Sequence, residues 1–175
     1  MTRLLLAIGV WLVPAAARAA APCGANGVYQ ETVTSTRHTW EGDTVVPLAQ
    51  CVYTKVGLDT FTVPPYQTEV MFAAYGAGDG YRTDNTAFGR TGDPGSVEGR
   101  LAVGSGETFD IRVGGLPTGS SGRISGVCDV GGYNGGGNSG STLNACGGGG
   151  ASDVRPSGGG LADRLFVGGG AGGNA

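Results

Sequence analysis

One histidine and a glycine-flanked serine are the residues of this chain that come nearest to the parts of a hydrolase. His38 is the single histidine, and Ser139 lies in Gly137-Asn138-Ser139-Gly140-Ser141. Serine hydrolysis needs a serine, a histidine and an aspartate assembled in space. We interpret Ser139 instead as a small polar residue inside a glycine tract, and His38 as a surface residue of a strand or loop. A lone histidine also cannot form a usual transition-metal site, so we predict no catalytic residue.

Aspartates in turn-forming sequences could bind calcium through their carboxylate oxygens. The set consists of Asp79, Asp84, Asp93, Asp129 and Asp153. Isolated aspartates of this kind are usually turn formers, and the glycine-aspartate repeat of calcium-binding β-helices does not occur in the sequence. We therefore predict no metal site.

A glycine-rich segment, Gly76-Ala77-Gly78-Asp79-Gly80, follows an apolar stretch in the way that a dinucleotide-binding loop follows its strand. A phosphate site of that type needs a helix N-terminus after the loop. No helical pattern follows this segment, so we predict no cofactor.

Glycine dominates the composition and divides the chain into two parts. The 175 residues include 37 glycines, about three times the average usage, and most of them follow residue 75. A collagen triple helix needs glycine at every third position, and Gly92, Gly95 and Gly99 already break that period. A disordered linker is the remaining alternative. The apolar segments between the glycine runs, and the cysteines, argue against it.

The first 21 residues have the three parts of a secretory leader. Arg3 gives a positively charged start, Leu4–Val13 form an apolar core, and small residues offer cleavage after Ala19 or Ala21. The apolar core is too short for a comfortable membrane span, and no second stretch is long enough. We predict a secreted protein, extracellular or at the cell surface, with the periplasm as an alternative, and no membrane span.

Net charge argues against a nucleic-acid partner. The formal charge of the chain is −3, and loss of two positive charges, Arg3 and Arg18, with the leader makes it −5. Phosphate binding needs clustered lysine and arginine, whereas this chain has one lysine, Lys55, and scattered arginines. We expect a protein or glycan ligand and no nucleic acid, and we leave the oligomeric state open.

Cysteines follow the leader at four positions, Cys23, Cys51, Cys128 and Cys146. In an exported protein an even number indicates disulfides, and three pairings are possible. We favour Cys23–Cys51 and Cys128–Cys146, because each pair then lies within one compositional half. Closing a loop of this size stabilises by roughly 3 kcal/mol in the chain-entropy model. That gain matters because ordered glycine loses more backbone entropy than any other residue.

Short alternating or apolar segments typical of β-strands occur in residues 23–75 and 96–113, and the turn-forming residues 79–95 between them predict a loop. The predicted strands are Val28–Thr34, Thr44–Leu48, Cys51–Val56, Thr60–Val63, Glu69–Tyr75, Ser96–Val103 and Glu107–Val113. In the last of these, Phe109, Ile111 and Val113 share one face. The Gly104-Ser105-Gly106 connection predicts a hairpin between the last two strands, because glycine accepts positive φ.

From Gly114 onward, glycine runs alternate with two apolar segments, Ala151–Val154 and Leu161–Val167. Polyproline II helices have no internal hydrogen bonds. Glycine helices of this type can pack side by side and bond to one another through their backbone groups. The charges of Asp153-Val154-Arg155 and Asp163-Arg164 are placed to cross-link adjacent glycine helices by side-chain to backbone hydrogen bonds. Solvated strand faces are the alternative.

The order of several motifs carries a family resemblance over residues 58–175. After the strands that end at Gly78 come LAVGSGETFDIRVGG (101–115), GGYNGGGNSG (131–140), GGGGASDVR (147–155) and LADRLFVGGGAGG (161–173). This order resembles the glycine-rich domain family of bacterial secreted and cell-surface proteins. It is also similar to the extracellular glycine-rich region of the anaplastic lymphoma kinase and leukocyte tyrosine kinase receptors. The resemblance implies a mainly β fold, with an antiparallel β-sandwich-like core and a C-terminal bundle of glycine-rich polyproline II helices. It brings no catalytic residues.

The domain organisation that we expect has three parts. Residues 1–21 are the leader, 22–57 an N-terminal β segment, and 58–175 the glycine-rich domain, with a β core at 58–115 and a glycine tract at 116–175. Because the sequence stops inside a glycine run, we expect it to be a piece of a longer protein or an unusually short member of the family.

The function that we expect is a structural, adhesive or ligand-binding role at the cell surface, without enzymatic activity. Tyr81, Phe88 and Tyr133 lie in glycine loops and are candidate contact aromatics. One alternative is the N-terminal, non-catalytic module of a secreted hydrolase or protease. Another is a ligand binder that resembles a receptor ectodomain.

Overall fold

The computed structural model describes residues 4–9, 22–39, 42–78, 92–118, 130–139 and 146–173. These residues form β-strands and one turn of 3-10 helix at Leu161–Asp163. The strands are β1 (Leu4–Gly9), β2 (Val28–Thr39), β3 (Gly42–Tyr53), β4 (Gly57–Thr62), β5 (Glu69–Tyr75), β6 (Ser96–Ala102), β7 (Thr108–Val113), β8 (Ser152–Pro156) and β9 (Phe166–Gly168). No helix within these ranges is long and apolar enough to cross a membrane.

The strands form two antiparallel sheets. The first sheet has the order β2-β3-β1-β5-β6 and the second has the order β4-β7-β8-β9. The mainly β fold with antiparallel sheets that the sequence predicts is therefore confirmed. The chain passes between the sheets repeatedly, because β4 and β7 belong to the second sheet whereas β5 and β6 belong to the first.

The strand β3 corrects the prediction of two separate strands in this region. Thr44–Leu48 and the first three residues of the predicted strand Cys51–Val56 belong to one strand that ends at Tyr53. Ala49 and Gln50, which we expected to separate them, continue the pairing with β1. Ala49-Gln50 interrupts the apolar pattern of the sequence, but β3 continues through these residues because β1 also pairs with the residues before and after them.

The turn at residues 104–106 corrects the hairpin prediction. Gly106 has a φ of +78°, as the turn chemistry predicts. Its N–H donates to the Val63 carbonyl at 3.0 Å, and the Val63 N–H donates to the Glu107 carbonyl at 2.8 Å. These bonds hold the turn against the connection between β4 and β5. As a result β6 pairs with β5 and β7 pairs with β4, and the turn joins the two sheets.

Strand β1 lies within the predicted leader. Its backbone is antiparallel to both β3 and β5, with Leu4 opposite Tyr53 and Leu5 opposite Ala73. The leader prediction concerns cleavage of the chain, which this pairing does not test, and it stays a prediction.

Phe72 on β5 is the centre of the core that the two sheets share. Its ring centroid lies 6.1 Å from that of Phe61, 5.4 Å from Phe109 and 5.3 Å from Phe166. Those three residues belong to the second sheet, and tilted or edge-to-face contacts of this kind add to hydrophobic burial. Gly99 is opposite Phe72 in β6. A Cβ at Gly99 would lie 2.6 Å from the Phe166 ring, so glycine leaves the space that Phe166 occupies.

Cys23 and Cys51 form a disulfide with their Cα atoms 5.4 Å apart, as predicted. Both are fully buried in the shared core. Asp59 on β4 holds the turn that begins at Cys23, because its carboxylate accepts the N–H groups of Ala25 and Asn26 at 2.9 and 2.6 Å. The turn at residues 22–26 is thus fixed to both sheets, to the first by the disulfide to β3 and to the second by Asp59.

Glycine-rich residues are ordered around residues 146–151, which we call the central glycine segment. Its backbone groups bond in turn to different neighbouring segments rather than to one partner strand. The bonds, of 2.8–2.9 Å, are Gly148 N–H to Gly137, Gly149 N–H to Ala171, Gly150 N–H to Gly115, Gly132 N–H to Gly148 and Ala77 N–H to Gly150. Buried backbone groups have to be paired, and this arrangement pairs them without a sheet.

The central glycine segment has no room for side chains at its closest approaches. A Cβ on Gly149 would overlap the carbonyl oxygen of Ala77, and a Cβ on Gly150 would overlap that of Tyr133. All the glycines of the segment are buried. The need for glycine here is steric and comes from the distance between backbones.

Substitution of Gly150 by alanine should prevent folding or cost roughly 4 kcal/mol or more, because the new Cβ forces the backbone away from Tyr133 and breaks the bond to Gly115. The matched control is Gly169→Ala. Gly169 is exposed, and a Cβ there meets nothing within 4 Å, so the change should be within about 1 kcal/mol. Urea unfolding followed by circular dichroism measures both, and equal losses would contradict the steric account.

Candidate functional site

The outer face of the second sheet carries charged side chains. On β7, Phe109, Ile111 and Val113 are buried in the core. Because side chains alternate along a strand, Asp110 and Arg112 lie on the opposite face, and Asp153 and Arg155 of β8 lie on that face too. We call these four residues the charged face. The register places Arg112 opposite Asp153 and Asp110 opposite Arg155.

Asp153 is the centre of the charged face and is completely buried, with an exposure of 0%. Arg155 binds it with two hydrogen bonds, from Nε to Oδ1 at 2.7 Å and from Nη2 to Oδ2 at 3.0 Å. Arg164, which follows the 3-10 turn, makes an ion pair from Nε to Oδ2 at 2.8 Å. A bidentate arginine–carboxylate pair is among the stronger polar interactions in proteins. The carboxylate therefore holds together β8 and the segment before β9.

Asn134 connects the charged face to the central glycine segment. Its Nδ2 donates to Asp153 Oδ2 and to the Ala151 carbonyl, both at 2.7 Å. Its Oδ1 accepts from Nη2 of Arg155 at 3.2 Å and from Nη2 of Arg164 at 3.1 Å. Asn134 has a φ of +69°, a conformation that asparagine adopts more readily than most residues. All the hydrogen-bonding capacity of one amide is used here.

The pKa values on the charged face keep the central pair ionised. Burial on its own would raise the pKa of Asp153, but the hydrogen bonds from Arg155 and Asn134 and the charges of Arg155 and Arg164 outweigh burial and lower it. The pKa of Arg155 is raised, mainly by its hydrogen bonds to Asp153. Near neutral pH Asp153 therefore stays deprotonated and Arg155 stays protonated. The pair does not transfer protons and acts as a structural ion pair.

Arg112 is the least engaged member of the charged face. Its Nη2 lies 4.0 Å from Oδ2 of Asp110, which is beyond hydrogen-bonding distance. Its Nε is buried and has no hydrogen-bond partner in the part of the chain that the structure describes. Asp110 also accepts the Gly158 N–H at 3.3 Å. Asp153, the residue opposite Arg112, is fully occupied by other partners.

Tyr133 is the one predicted contact aromatic within the described residues, and it is exposed, at 42%. It precedes Asn134, and its carbonyl accepts the Gly115 N–H at 3.1 Å. Tyr81 and Phe88 lie outside the described residues. The network below Tyr133 fixes its backbone at the surface.

Cys146 is disulfide-bonded and stands at the start of the central glycine segment. Its predicted partner, Cys128, lies outside the described residues. The pairing of Cys146 with Cys128 therefore stays a prediction.

Of the aspartates that we weighed as calcium ligands, the structure describes two, Asp93 and Asp153. Asp93 is exposed, and Asp79, Asp84 and Asp129 lie outside the described residues. No group of three or more potential metal-ligating side chains occurs among the residues that are described. Asp153 is not a turn former, because it lies in β8 with arginines bound to its carboxylate.

The cross-links predicted for the two apolar segments differ in their partners. Arg164 pairs with Asp153 rather than with Asp163, and Asp163 accepts the Gly160 N–H at 2.8 Å. The link from these charged groups to the backbone of the central glycine segment comes from Asn134, which donates to the Ala151 carbonyl and was not among the predicted site residues. In the sequence, Tyr133-Asn134-Gly135 shows only a turn, so no local signal distinguishes this asparagine from others.

Comparisons with known proteins gave no match: no protein-family model, no curated protein and no solved structure is significantly similar to this chain. The resemblance to the glycine-rich domain family stays a prediction.

Replacement of Arg155 by alanine should destabilise the protein by about 3–5 kcal/mol, because it leaves the buried Asp153 carboxylate without its main partner. The matched control is Arg100→Ala. Arg100 also pairs with a carboxylate, that of Glu69 at 2.9 Å, but their side chains are 66% and 55% exposed, so about 0–1 kcal/mol is expected. Thermal and urea unfolding measure both variants. Similar losses would mean that burial of the Asp153 pair contributes nothing.

Acid should weaken the protein through Asp153. Because folding lowers the pKa of this group, its stabilising contribution is complete above the unfolded pKa, about 4. It is lost as the pH falls through the lower folded value. The free energy of unfolding of the natural protein should therefore fall more steeply below about pH 4 than that of Asp153→Asn. Parallel curves of unfolding free energy against pH would contradict this assignment.

Proposed function

We propose that this chain is an exported, non-enzymatic module that presents a rigid binding surface at the cell surface. The observation that carries the proposal is the hydrogen-bonded connection between the central glycine segment, Asn134 and the charged face. Within this connection, the buried charges of Asp153 and Arg155 pair with one another. It leaves Tyr133 exposed on a fixed backbone, which is an arrangement suited to recognition.

Export is supported by the disulfides. Cys23–Cys51 and the bonded Cys146 are typical of oxidising compartments. The leader-like first 21 residues agree with the same location. In the proposal, cleavage after Ala19 or Ala21 gives the mature protein.

The glycine segments are, in this proposal, polyproline II helices that pack as a bundle. The support is their bonding pattern. Successive residues of the central segment bond to different neighbours, as expected of a helix with three residues per turn and outward-pointing backbone groups. The adhesive or structural use of such a bundle follows from its stiffness and from its lack of bulky side chains.

Binding to cells tests the proposed function. Labelled, disulfide-bonded protein should bind saturably to cells of the species that produces it, and unlabelled protein should compete. Tyr133→Ser should lower the bound fraction, whereas Tyr66→Ser should not. Tyr66 is a suitable control because it is also a tyrosine and is 84% exposed, in the connection between β4 and β5. If no saturable binding occurs, or if both variants bind alike, the proposed surface role is wrong.

Amide hydrogen exchange tests the packing of the glycine bundle. Gly148, Gly149 and Gly150 should exchange slowly, because their N–H groups bond to carbonyls of other segments and are released only by large openings. Ser105, which is exposed in the turn between β6 and β7, provides a fast reference. The three-bond HN–Hα couplings of the same glycines report whether φ is near the polyproline II value, about −75°. Rapid exchange along the whole segment would contradict the bundle.

A further inference from the structure

We propose that Arg112 and the apolar side chains beside it bind a carboxylate carried by a protein segment, with an apolar residue next to the acidic one. We call this surface the Arg112 patch, and it consists of Val56, Leu58, Arg112 and Tyr133. The inference rests on the proposed function, because it names the class of partner for that binding surface.

The Arg112 guanidinium makes no hydrogen bond to the nearest carboxylate, that of Asp110. Its distance to Asp110 is 4.0 Å, and its Nε makes no hydrogen bond to any described residue. The side chain is 25% exposed although the Nε atom is buried, so the exposed part belongs to its other atoms. An arginine in this state offers charged N–H donors with no acceptor already bound, and a carboxylate can take two of them at once.

The local charge is positive by one unit, because Arg112, Arg155 and Arg164 are balanced by two aspartates, Asp110 and Asp153. Asp153 binds Arg155 and Arg164, and Asp110 lies 4.0 Å from Arg112, so no carboxylate is within hydrogen-bonding distance of Arg112. One positive charge matches one carboxylate. A sulfated or phosphorylated polymer would need a larger basic cluster, which this face lacks.

The surrounding of the guanidinium is apolar. Leu58 is directly opposite Arg112 in the pairing of β4 with β7 and is 50% exposed. Val56 and Tyr133 both lie against Gly115, with Val56 Cγ1 and Tyr133 Cβ 3.1 and 3.2 Å from where a Cβ of Gly115 would be. Both are partly exposed, at 51% and 42%. An apolar side chain next to the acidic residue would bury this surface, which favours a protein segment over a sugar.

Small peptides with blocked termini test the inference directly. The probe is the acetylated, amidated tripeptide Phe-Glu-Leu, titrated into the ¹⁵N-labelled full chain while the Arg112 Nε–H and the Leu58 amide signals are followed. We expect saturable shifts of both signals. The matched peptide with Gln in place of Glu should bind at least about tenfold more weakly, since hydrogen bonds to a charged group contribute about 1.5–3 kcal/mol. Equal binding of the two peptides would overturn the inference.

Variants identify the residues that carry the binding. Arg112→Gln should weaken binding of the Glu peptide about tenfold or more, and Arg100→Gln, a change of the same type at a distant exposed pair, should leave it unchanged. Leu58→Ser should weaken binding severalfold without any change in charge. If Arg112→Gln fails to fold, binding of the Glu peptide by Leu58→Ser still tests the inference. Unchanged binding of the Glu peptide by a folded Arg112→Gln, or by Leu58→Ser, would overturn the inference.

Competing anions complete the test. Oligoglucuronate that binds as tightly as the Glu peptide would overturn the assignment to a protein segment, and equal binding of inorganic sulfate would reduce the patch to an unspecific anion site. Weaker binding of both supports the inference. Saturable binding of the protein to cells without any peptide binding would overturn the Arg112 assignment alone and leave the proposed function in place.

Discussion

The closeness of backbones around the central glycine segment is the constraint on which the rest of the glycine-rich part depends. Peptide groups of Gly148, Gly149 and Gly150 bond to different neighbouring segments, and a Cβ at Gly149 or Gly150 would overlap a facing carbonyl. Bonds of this kind form only if every segment approaches to hydrogen-bonding distance. Only segments without side chains at the contact points can therefore approach closely enough to form these backbone hydrogen bonds.

The glycine-rich part and the β core are held together by few side chains with specific bonds. Ser152, fully buried at the start of β8, accepts the Gly114 N–H at 3.0 Å, and Asn134 bonds to both Ala151 and Asp153. The buried charges of Asp153 and Arg155 are stable in the interior because each has its partners. The charged face therefore fixes the position of the glycines on the second sheet, and the same geometry leaves Arg112 without a close partner.

The sequence predicts the features that depend on neighbouring residues along the chain, and it does not predict those that depend on partners distant in sequence. The strand at Glu69–Tyr75 and the Cys23–Cys51 disulfide agree with the prediction, since an apolar run and the division of the cysteines between two compositional halves are local properties. The 104–106 turn was recognised, but its partner, Val63, lies in the connection between β4 and β5. Likewise Asp153 and Arg155 were noted as a pair, whereas the contribution of Asn134 could not be foreseen, because a turn asparagine has no sequence signal for a buried amide.

A core filled partly with peptide groups has a thermal consequence. Exposure of apolar surface raises the heat capacity of a protein, whereas exposure of polar surface lowers it. Unfolding of the aromatic core around Phe72 exposes apolar surface, and unfolding of the central glycine segment exposes mostly polar surface. The heat-capacity change per residue is then smaller than for a core of leucine and valine. The stability curve of this protein is correspondingly flatter with temperature, so its glycine-rich part loses less on cooling than a purely hydrophobic core does.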